Sequence, residues 1–359
     1  MLVLGIDTSC DDTSCAVVRD GREILSTIVS SQTDIHSDFG GVVPELACRS
    51  HILNILPVLD QSLRAAGTDM DRIDCIATTN RPGLIGALLI GLTAAKTFSC
   101  LLGKPLVALD HIACHIYSVQ MCRPNIPFPS VGLVVSGGHT QLYYCRDYSR
   151  RDLLGGTQDD AAGEAYDKVA GILGLGYPGG AAVDDAARKG DRNKIRFKRT
   201  YLEKDSLEFS FSGIKTAVLY HVRGQDAGRC KKTRRRRRSQ SRERGGTADI
   251  AAGFQESVVE VLAAKTILAA RKKRVGAVTV SGGVAANSRL REVMEKRCGE
   301  CGIEVFFPVP SLCTDNAAMV AGLGYHYARS GRTSGLTADA AAKVSPRSGK
   351  STRRRKVRK

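Results

Sequence analysis

Three turns, each entered by an apolar strand, constrain the fold of this chain most strongly. Residues 2–18, LVLGIDTSCDDTSCAVV, have the pattern of a strand, a short polar turn and a second strand. Residues 130–145, SVGLVVSGGHTQLYYC, repeat that pattern around a Gly-Gly turn, and residues 275–294 follow a strand and a Gly-Gly turn with a helix. Apolar runs bounded by glycine and small polar residues are typical of strands that lead into turns. The length of 359 residues agrees with more than one lobe.

The segments between these turns alternate between helical and strand patterns, which predicts an α/β chain. Helices are predicted at 44–67, 83–103, 161–173, 248–272, 285–297 and 315–329, and further strands at 73–79 and 105–110. The arrangement resembles the actin-like superfold that Hsp70 ATPase domains and sugar kinases share. That resemblance implies two α/β lobes around a nucleotide-binding cleft, with both hairpin turns facing the cleft. We expect an N-terminal lobe at 1–110 and a C-terminal lobe at 111–345.

The net charge of +17 is concentrated in two segments. Residues 229–244 carry ten Lys/Arg and one Glu, and residues 347–359 carry eight Lys/Arg and no acid, so the two segments account for the whole excess. Such blocks repel themselves and are typical of solvated, disordered arms. We therefore predict a basic insertion at about 226–247 and a basic tail at 346–359. Both could act as solubilising arms, or could bind a polyphosphate through counterion release.

Export and membrane insertion are not expected from the sequence. The most apolar run, residues 84–95, is shorter than the roughly 20 residues that a membrane span needs. The first residues lead directly into a strand without a basic leader segment. Twelve cysteines are scattered through apparent core elements, which favours reduced thiols and a cytoplasmic location.

Two histidines, His111 and His115, lie four residues apart at the start of a predicted helix. Residues at i and i+4 share a helix face, so both imidazoles could reach one metal ion. Asp315, at the start of a later helix, could complete a site of two histidines and one carboxylate, or could only cap that helix. The zinc-protease helix H-E-x-x-H is excluded as a model, because Ile112 stands where that motif has its catalytic glutamate.

Other polar and glycine positions could bind a phosphorylated ligand. Gly137 and Gly138 would let a phosphate or acyl group approach the backbone, although tight hairpins also use Gly-Gly. Carboxylates at Asp167 and Asp184 flank a glycine-rich turn that could hold ribose hydroxyls, or could simply be solvated charges. Asn287 could hydrogen-bond a ligand hydroxyl or cap a helix.

As a set, the motifs resemble one family. GIDTSCDDTS, GGVVPELACRSH, HIACH, LVVSGGHTQL, DDAAGEAYDKVA, LGYPGG, FSFSGIKT, SGGVAANSRLR and CTDNAAM occur in the order and spacing of the bacterial TsaD family, the tRNA N6-adenosine threonylcarbamoyltransferases. The resemblance covers roughly residues 1–345, without the basic insertion.

The resemblance implies a reaction and a set of site residues. The threonylcarbamoyl group of threonylcarbamoyl-AMP would pass to N6 of adenosine 37 in tRNAs that read codons beginning with A, with release of AMP. One divalent metal, Fe²⁺ in preference to Zn²⁺, would be held by His111, His115 and Asp315. The substrate would lie along Val134, Val135, Ser136, Gly137 and Gly138, with Asp167, Gly180, Asp184 and Asn287 around the adenylate. Companion proteins TsaB and TsaE would take part, and TsaC would supply the substrate.

Three positions depart from the family pattern. Ala113 stands in place of an acidic residue, Asp7 in place of glutamate, and Arg81 in place of glycine. Ala113 could weaken the support of the metal-binding histidines. The sequence does not identify the group that assists proton transfer, for which Asp11 and Asp12 in the first hairpin turn are the candidates.

Three other functions agree less well with the sequence. A carbohydrate or acetate kinase of the same superfold would use Mg-ATP and a carboxylate base, and would not need His111 and His115. A secreted metalloprotease lacks its glutamate and a signal peptide here. A noncatalytic scaffold would not need the complete set of ligands.

Overall fold

A computed structural model describes residues 1–123, 125–199, 205–224 and 245–343. Two sheets of five strands form the framework, and they have the same strand order. The bounds of the first sheet are β1 Leu2–Asp7, β2 Asp12–Arg19, β3 Glu23–Ser31, β4 Cys75–Arg81 and β5 Leu106–Asp110. Those of the second are β6 Ser130–Val135, β7 Thr140–Cys145, β8 Arg151–Gly156, β9 Ala277–Ser281 and β10 Glu304–Phe306. The predicted basic insertion and basic tail lie outside the described residues.

The two α/β lobes predicted for this chain are confirmed by the strand pairing. The order is β3-β2-β1-β4-β5 in one sheet and β8-β7-β6-β9-β10 in the other. Taken in chain order, the first and second strands of each sheet pair antiparallel, as do the second and third. The fourth and fifth strands run parallel to the first. This is the two-lobed actin-like architecture, in which a parallel edge brings the carboxyl ends of several strands together at the cleft.

The described residues form ten α-helices around these sheets. They are α1 Thr33–Ser37, α2 Pro44–Ala65, α3 Ile85–Leu102, α4 His111–Cys122, α5 Ala162–Leu173, α6 Gly179–Ala187, α7 Ser212–Arg223, α8 Thr247–Lys273, α9 Ser288–Gly299 and α10 Ala317–Arg329. Helix α8 is largely buried and forms the centre of the larger core with α5, α6 and the second sheet. The predicted helices are thus present, with ends that differ by a few residues.

Two helices from the segment predicted as the C-terminal lobe lie against the sheet of the N-terminal lobe. Both α4 and α10 pack on one face of the first sheet, where Ala113, Tyr117 and Ala321 share a core with Val3 and Ala77. The contact of α10 with β1 depends on Gly5, because a Cβ there would lie 2.2 Å from the carbonyl oxygen of Ala317. The close approach fixes the start of α10 against the strand that leads into the first hairpin turn.

Helix α3 is long and apolar enough to cross a membrane by length and composition alone. In this structure it is a core helix, which packs on β4 and α2 through Ala87, Leu88, Leu92 and Ala95. Gly103 ends it in the left-handed conformation, with φ of 62°.

Candidate active site

The helix that carries both histidines, α4, begins at the carboxyl end of β5. Asp110 is the last residue of that strand, and its carboxylate accepts a hydrogen bond of 3.1 Å from the backbone N–H of Ala113. This N-cap starts α4 at His111, so both histidines occupy the first turn and a half of the helix. Both imidazoles are buried.

Asp315 meets the two histidines from the other end of the chain. Its Oδ1 lies 3.0 Å from Nε2 of His115 and 3.3 Å from Nε2 of His111. The candidate ligand atoms of the three residues all lie within 4.8 Å of one another, so the group could hold a metal ion. The capping alternative for Asp315 does not hold, because Asn316 caps α10 by accepting from the N–H of Met319.

Asp7 and Ser9 hold His111 from behind. Nδ1 of His111 lies 3.3 Å from Oδ2 of Asp7 and 3.1 Å from Oγ of Ser9, which leaves Nε2 directed at Asp315. Asp7 is itself fixed, because its Oδ1 accepts from the Thr79 hydroxyl and from the Ser9 N–H. A carboxylate behind a ligand histidine sets its orientation and tautomer. Asp7 therefore lies where its carboxylate can support the His111 imidazole.

His111, His115 and Asp315, the candidate metal triad, shift one another's pKa values. Burial alone would lower the pKa of His111, but the carboxylates of Asp315 and Asp7 outweigh burial and hold that pKa well above its usual range. Burial likewise opposes the charge on Asp315, yet His111 and His115 keep its pKa well below the ordinary value. The pKa of His115 is lowered by burial and by the nearby His111. The site therefore favours a positive charge between Asp7 and Asp315, as a cation-binding site does.

The second hairpin turn presents an open glycine loop. Two hydrogen bonds join the ends of the turn. The Ser136 N–H donates to the carbonyl of His139, and the Ser136 hydroxyl accepts from the His139 N–H. Gly137 and Gly138 are exposed, and a Cβ at either would meet no atom within 4 Å. Gly163 of α5 packs beneath the loop, where a Cβ would lie 2.6 Å from the Ser136 carbonyl oxygen. The loop thus has free space on one side and a rigid helix start on the other.

The predicted adenylate residues fall into two adjoining pairs. Asp167 accepts a hydrogen bond of 2.8 Å from the N–H of Gly179, which lies next to Gly180 at the start of α6. Asp184 and Asn287 are bridged by Gln255, whose amide donates to Asp184 and accepts from Asn287. Asn287 also caps α9 by accepting from Leu290, so its capping and network roles coexist.

The first hairpin turn is strongly acidic and lies within electrostatic reach of the triad. Burial, followed by the charges of Asp11, Asp315 and Asp7, raises the pKa of Asp12 to about 7. Burial, and then the charge of Asp11, raise the pKa of Asp167, so the turn also acts electrostatically on α5.

Several residues at the site were missed by sequence reasoning. Burial and the charges of His111 and His115 lower the pKa of His139 to about 4, so a neutral imidazole follows the glycine loop. Gln255 could have been found as a polar residue within the buried face of α8. In the sequence, Asp7 stands out only as a departure from the family pattern. A carboxylate at the end of a buried strand indicates a site residue, but the partner His111 lies 104 residues away in the chain.

Known proteins that are similar in sequence identify the family of this chain. A sequence model of the TsaD family, described as tRNA N6-adenosine threonylcarbamoyltransferase, matches residues 23–322. The chain belongs to the TsaD family. Two relatives described as tRNA N6-adenosine threonylcarbamoyltransferase are similar over nearly their whole lengths. The protein from Syntrophomonas wolfei is 49% identical, with 91% of this chain and 92% of the relative covered. The protein from Caldicellulosiruptor saccharolyticus is 47% identical, with 96% and 98% covered.

Solved structures at low sequence identity share the fold. HypF from T. kodakarensis has a TM-score of 0.61 at 15% identity, and covers 92% of this chain and 48% of its own. Component A of (R)-2-hydroxyglutaryl-CoA dehydratase from Acidaminococcus fermentans has a TM-score of 0.54 at 18% identity, with 92% and 99% covered. As a member of the TsaD family, the chain is an acyltransferase that modifies N6 of adenosine 37 in tRNA.

Proposed function

We propose that the threonylcarbamoyl donor is threonylcarbamoyl-AMP, and that it binds across the cleft between the two hairpin turns. The acyl phosphate would lie along the loop 134–138, where Gly137 and Gly138 leave the backbone accessible. The adenylate would contact Asp167, Gly180, Asp184 and Asn287. The single observation that carries the proposal is the convergence of His111, His115 and Asp315 at the same cleft.

One divalent metal fits the triad, with Fe²⁺ favoured and Zn²⁺ as the alternative. Two buried imidazoles and one carboxylate leave coordination positions for a substrate oxygen, and Asp7 supports His111 as such sites require. When bound, the metal supplies Lewis-acid polarisation of the carbamoyl carbonyl.

The residues of the chain carry the remaining steps. The glycine loop holds the acyl phosphate so that AMP leaves as the N6 nitrogen attacks the carbamoyl carbon, and no protein nucleophile is needed. The N6 proton must then be accepted, and we assign that role to Asp12 in preference to Asp11. The raised pKa of Asp12, about 7, matches a base that works near neutral pH.

Companion proteins TsaB and TsaE, with TsaC as the source of the donor, complete the proposed reaction system, in the cytoplasm. An apolar face on the first lobe supports a protein partner. Helix α2 exposes Ile52, Leu53 and Leu56, with Leu53 75% exposed, and α3 exposes Ile85 and Leu89 beside it. The two helices touch where Gly86 packs on Cys48, so these side chains share one side of the lobe. Such a face suits a companion protein such as TsaB.

The deciding experiment is a reconstituted assay. The chain, the companion proteins, synthesised threonylcarbamoyl-AMP and unmodified tRNA are incubated, and threonylcarbamoyladenosine is measured by nucleoside mass spectrometry. His111→Ala should abolish the product and the bound metal while circular dichroism stays unchanged. Asp12→Asn should keep the metal and remove the rising limb of the pH–rate profile. A well-folded native chain that forms no product in this assay would refute the proposal.

A further inference from the structure

A strongly cationic stretch that the proposed reaction does not use lies directly after α6. Residues 188–199, which we call the cationic segment, contain seven Lys/Arg and one acid, Asp191. Two apolar residues of the segment, Ile195 and Phe197, are buried. The residues on either side of them are exposed cations: Lys194, Arg196 and Lys198. The two apolar side chains thus anchor the segment in the core, and the cations beside them face the solvent.

The backbone of the cationic segment packs closely on α8. A Cβ at Gly253 of that helix would lie 2.1 Å from the carbonyl oxygen of Ile195. A Cβ at Gly190 of the segment would lie 2.1 Å from the carbonyl oxygen of Ala248. Both contacts depend on glycine, because any side chain would prevent the two backbones from approaching so closely. The segment therefore lies directly on the helix at two points.

Hydrogen bonds hold the cationic segment on the same helix. The carboxylate of Asp249 accepts from the N–H of Asp191 at 2.9 Å and from the Lys194 ammonium group at 2.7 Å. Further along, the Ser257 hydroxyl lies 3.2 Å from the carbonyl oxygen of Phe197. Because the backbone is already fixed at several points, binding of a ligand here requires little further ordering of the chain.

Acids from neighbouring elements neutralise three of the seven cations. These ion pairs are Arg188 with Asp184, Lys194 with Asp249 and Arg199 with Glu260. The other four cations are exposed and form no ion pair with any residue that the structure describes: Lys189, Arg192, Arg196 and Lys198. Like charges that are held near one another repel, and a polyanion that binds them relieves this repulsion.

The cationic segment is continuous with the candidate adenylate residues. Arg188, its first residue, donates to the carboxylate of Asp184 at 2.8 Å. The same carboxylate accepts from the Ser288 hydroxyl at 2.9 Å and from the side-chain amide of Gln255 at 3.0 Å. Ser288 directly follows Asn287. The segment therefore begins at the rim of the cleft in which we propose that the donor binds.

We propose that the cationic segment binds the phosphodiester backbone of the tRNA substrate. The inference rests on the proposed function, because the tRNA must approach the cleft where the donor is taken to bind. Lysine and arginine contacts to phosphates position a nucleic acid without reading its sequence, and they release its counterions.

An acidic protein is the less favoured partner of the cationic segment. The centre of a protein–protein interface is apolar and depleted of charged residues. The apolar side chains of the segment, Ile195 and Phe197, are both buried, so the segment presents charge and no apolar surface of its own. Repeated exposed cations suit a chain of phosphates better than they suit the core of a protein interface.

The first test replaces the four cations without an ion pair to a described residue by glutamine: Lys189→Gln, Arg192→Gln, Arg196→Gln and Lys198→Gln. The dissociation constant for unmodified tRNA is measured by fluorescence anisotropy over a range of KCl concentrations. At 0.15 M KCl this fourfold variant should bind at least about tenfold more weakly, and the slope of log K against log salt should fall by about three. Circular dichroism should be unchanged, because all four side chains are exposed.

A matched control removes four exposed cations at the opposite edge of the second sheet, where α8 and α9 lead into β9 and β10. It carries Arg271→Gln, Lys272→Gln, Lys273→Gln and Lys296→Gln. Its slope should fall by less than about one. Equal losses in the control and the fourfold variant, or native binding by the fourfold variant, would overturn the inference. Should the fourfold variant not fold, the single variants Arg196→Gln and Lys198→Gln repeat the test, each with an expected fall of about 0.7–0.9 in slope.

The second test identifies the partner. A photo-crosslinking amino acid is placed at Asn193, an exposed residue of the cationic segment, and in a control at the exposed Glu300 after α9. Each chain is irradiated together with unmodified tRNA and the companion proteins. Asn193 should crosslink to tRNA and Glu300 should not, and equal crosslinking from both positions would contradict the placement. Crosslinks from Asn193 to a companion protein, with none to tRNA, would assign the segment to a protein interface and overturn the inference.

These binding measurements need neither the donor nor catalysis, so the two proposals fail separately. Segment-dependent tRNA binding without threonylcarbamoyladenosine in the reconstituted assay would overturn only the proposed function. Product formation by the native chain, together with unchanged tRNA affinity and salt slope in the fourfold variant, would overturn only the role of the cationic segment.

Discussion

At the residue scale, the site depends on carboxylates placed on both sides of one imidazole. Asp315 faces Nε2 of His111 and Asp7 faces Nδ1, each at 3.3 Å. The histidine pair could be predicted from its spacing, because i and i+4 positions share a helix face in any sequence. The contact with Asp7 could not, since it depends on how β1 and β5 end at the same edge of a sheet.

Asp7→Asn should weaken metal binding by about 10- to 100-fold, because an amide cannot support the ligand imidazole as a carboxylate does. Metal affinity is measured by competition with a chromogenic chelator. Asp7→Glu, which restores the residue expected of the family, is the matched control and should retain the affinity. Equal affinities for native and Asn proteins would show that Asp7 does not support the ligand.

Metal binding should release about one proton per site near neutral pH. In the metal-free protein the raised pKa of His111 keeps its imidazole charged, and that proton must leave before Nε2 can bind a metal. The affinity should therefore rise about tenfold per pH unit up to the pKa of His111. Calorimetry in buffers of different ionisation enthalpy measures the release directly. A value near zero would mean that His111 is already neutral.

At the element scale, helix ends and edge strands mark the limits of the sequence prediction. The helix predicted at 285–297 begins at Ser288, because Asn287 caps it after a short 3₁₀ turn. The short strand β10 and the helices α1, α6 and α7 were not predicted. Nor were the strands β3 and β8. Each lies at the edge of its sheet and has exposed residues on both faces, which blurs the alternation that identifies a strand.

Gly163→Ala should destabilise the protein by about 1–3 kcal/mol, because the new methyl group would push α5 from the glycine loop. Gly171→Ala in the same helix is the control. A Cβ at Gly171 meets no atom within 4 Å, so helix propensity should stabilise that variant by up to about 1 kcal/mol. Thermal or urea unfolding gives both values. Similar stability of the two variants would contradict the close packing beneath the loop.

Leu53→Glu should disrupt binding of the companion protein without unfolding the chain, because Leu53 is 75% exposed on α2. We expect at least a tenfold loss of affinity for TsaB, measured by calorimetry, if this face is the interface. Leu101→Glu, at an equally exposed position on α3, is the control. The assignment fails if Leu53→Glu binds the partner like the native chain.

At the scale of the whole molecule, charge is distributed very unevenly. The basic insertion and the basic tail hold the entire net charge, while the folded lobes are close to neutral. Composition alone could locate this asymmetry, but it could not show that the chain returns after α10 to the carboxyl end of β4. That depends on the pairing of Ala341 with Asn80, a contact across 261 positions of the chain.

Deletion of residues 229–244 should flatten the salt dependence of tRNA affinity, because fewer counterions would be released. The slope of log K against log salt is compared with that of a variant of equal length in which the ten Lys/Arg are replaced by Gln. Both variants should show the same reduced slope. A slope like that of the native chain would refute a role of the insertion in tRNA binding.

The separation of the candidate metal ligands along the chain has a consequence for protein synthesis. His115 and Asp315 are 200 residues apart, and α10, which delivers Asp315, is the last helix described. At ribosomal rates of about 5–20 residues per second, the histidines emerge roughly 10–40 s before their carboxylate partner. A nascent chain therefore cannot close the triad until residue 315 has left the ribosome, so metal loading waits until both sheets have been synthesised.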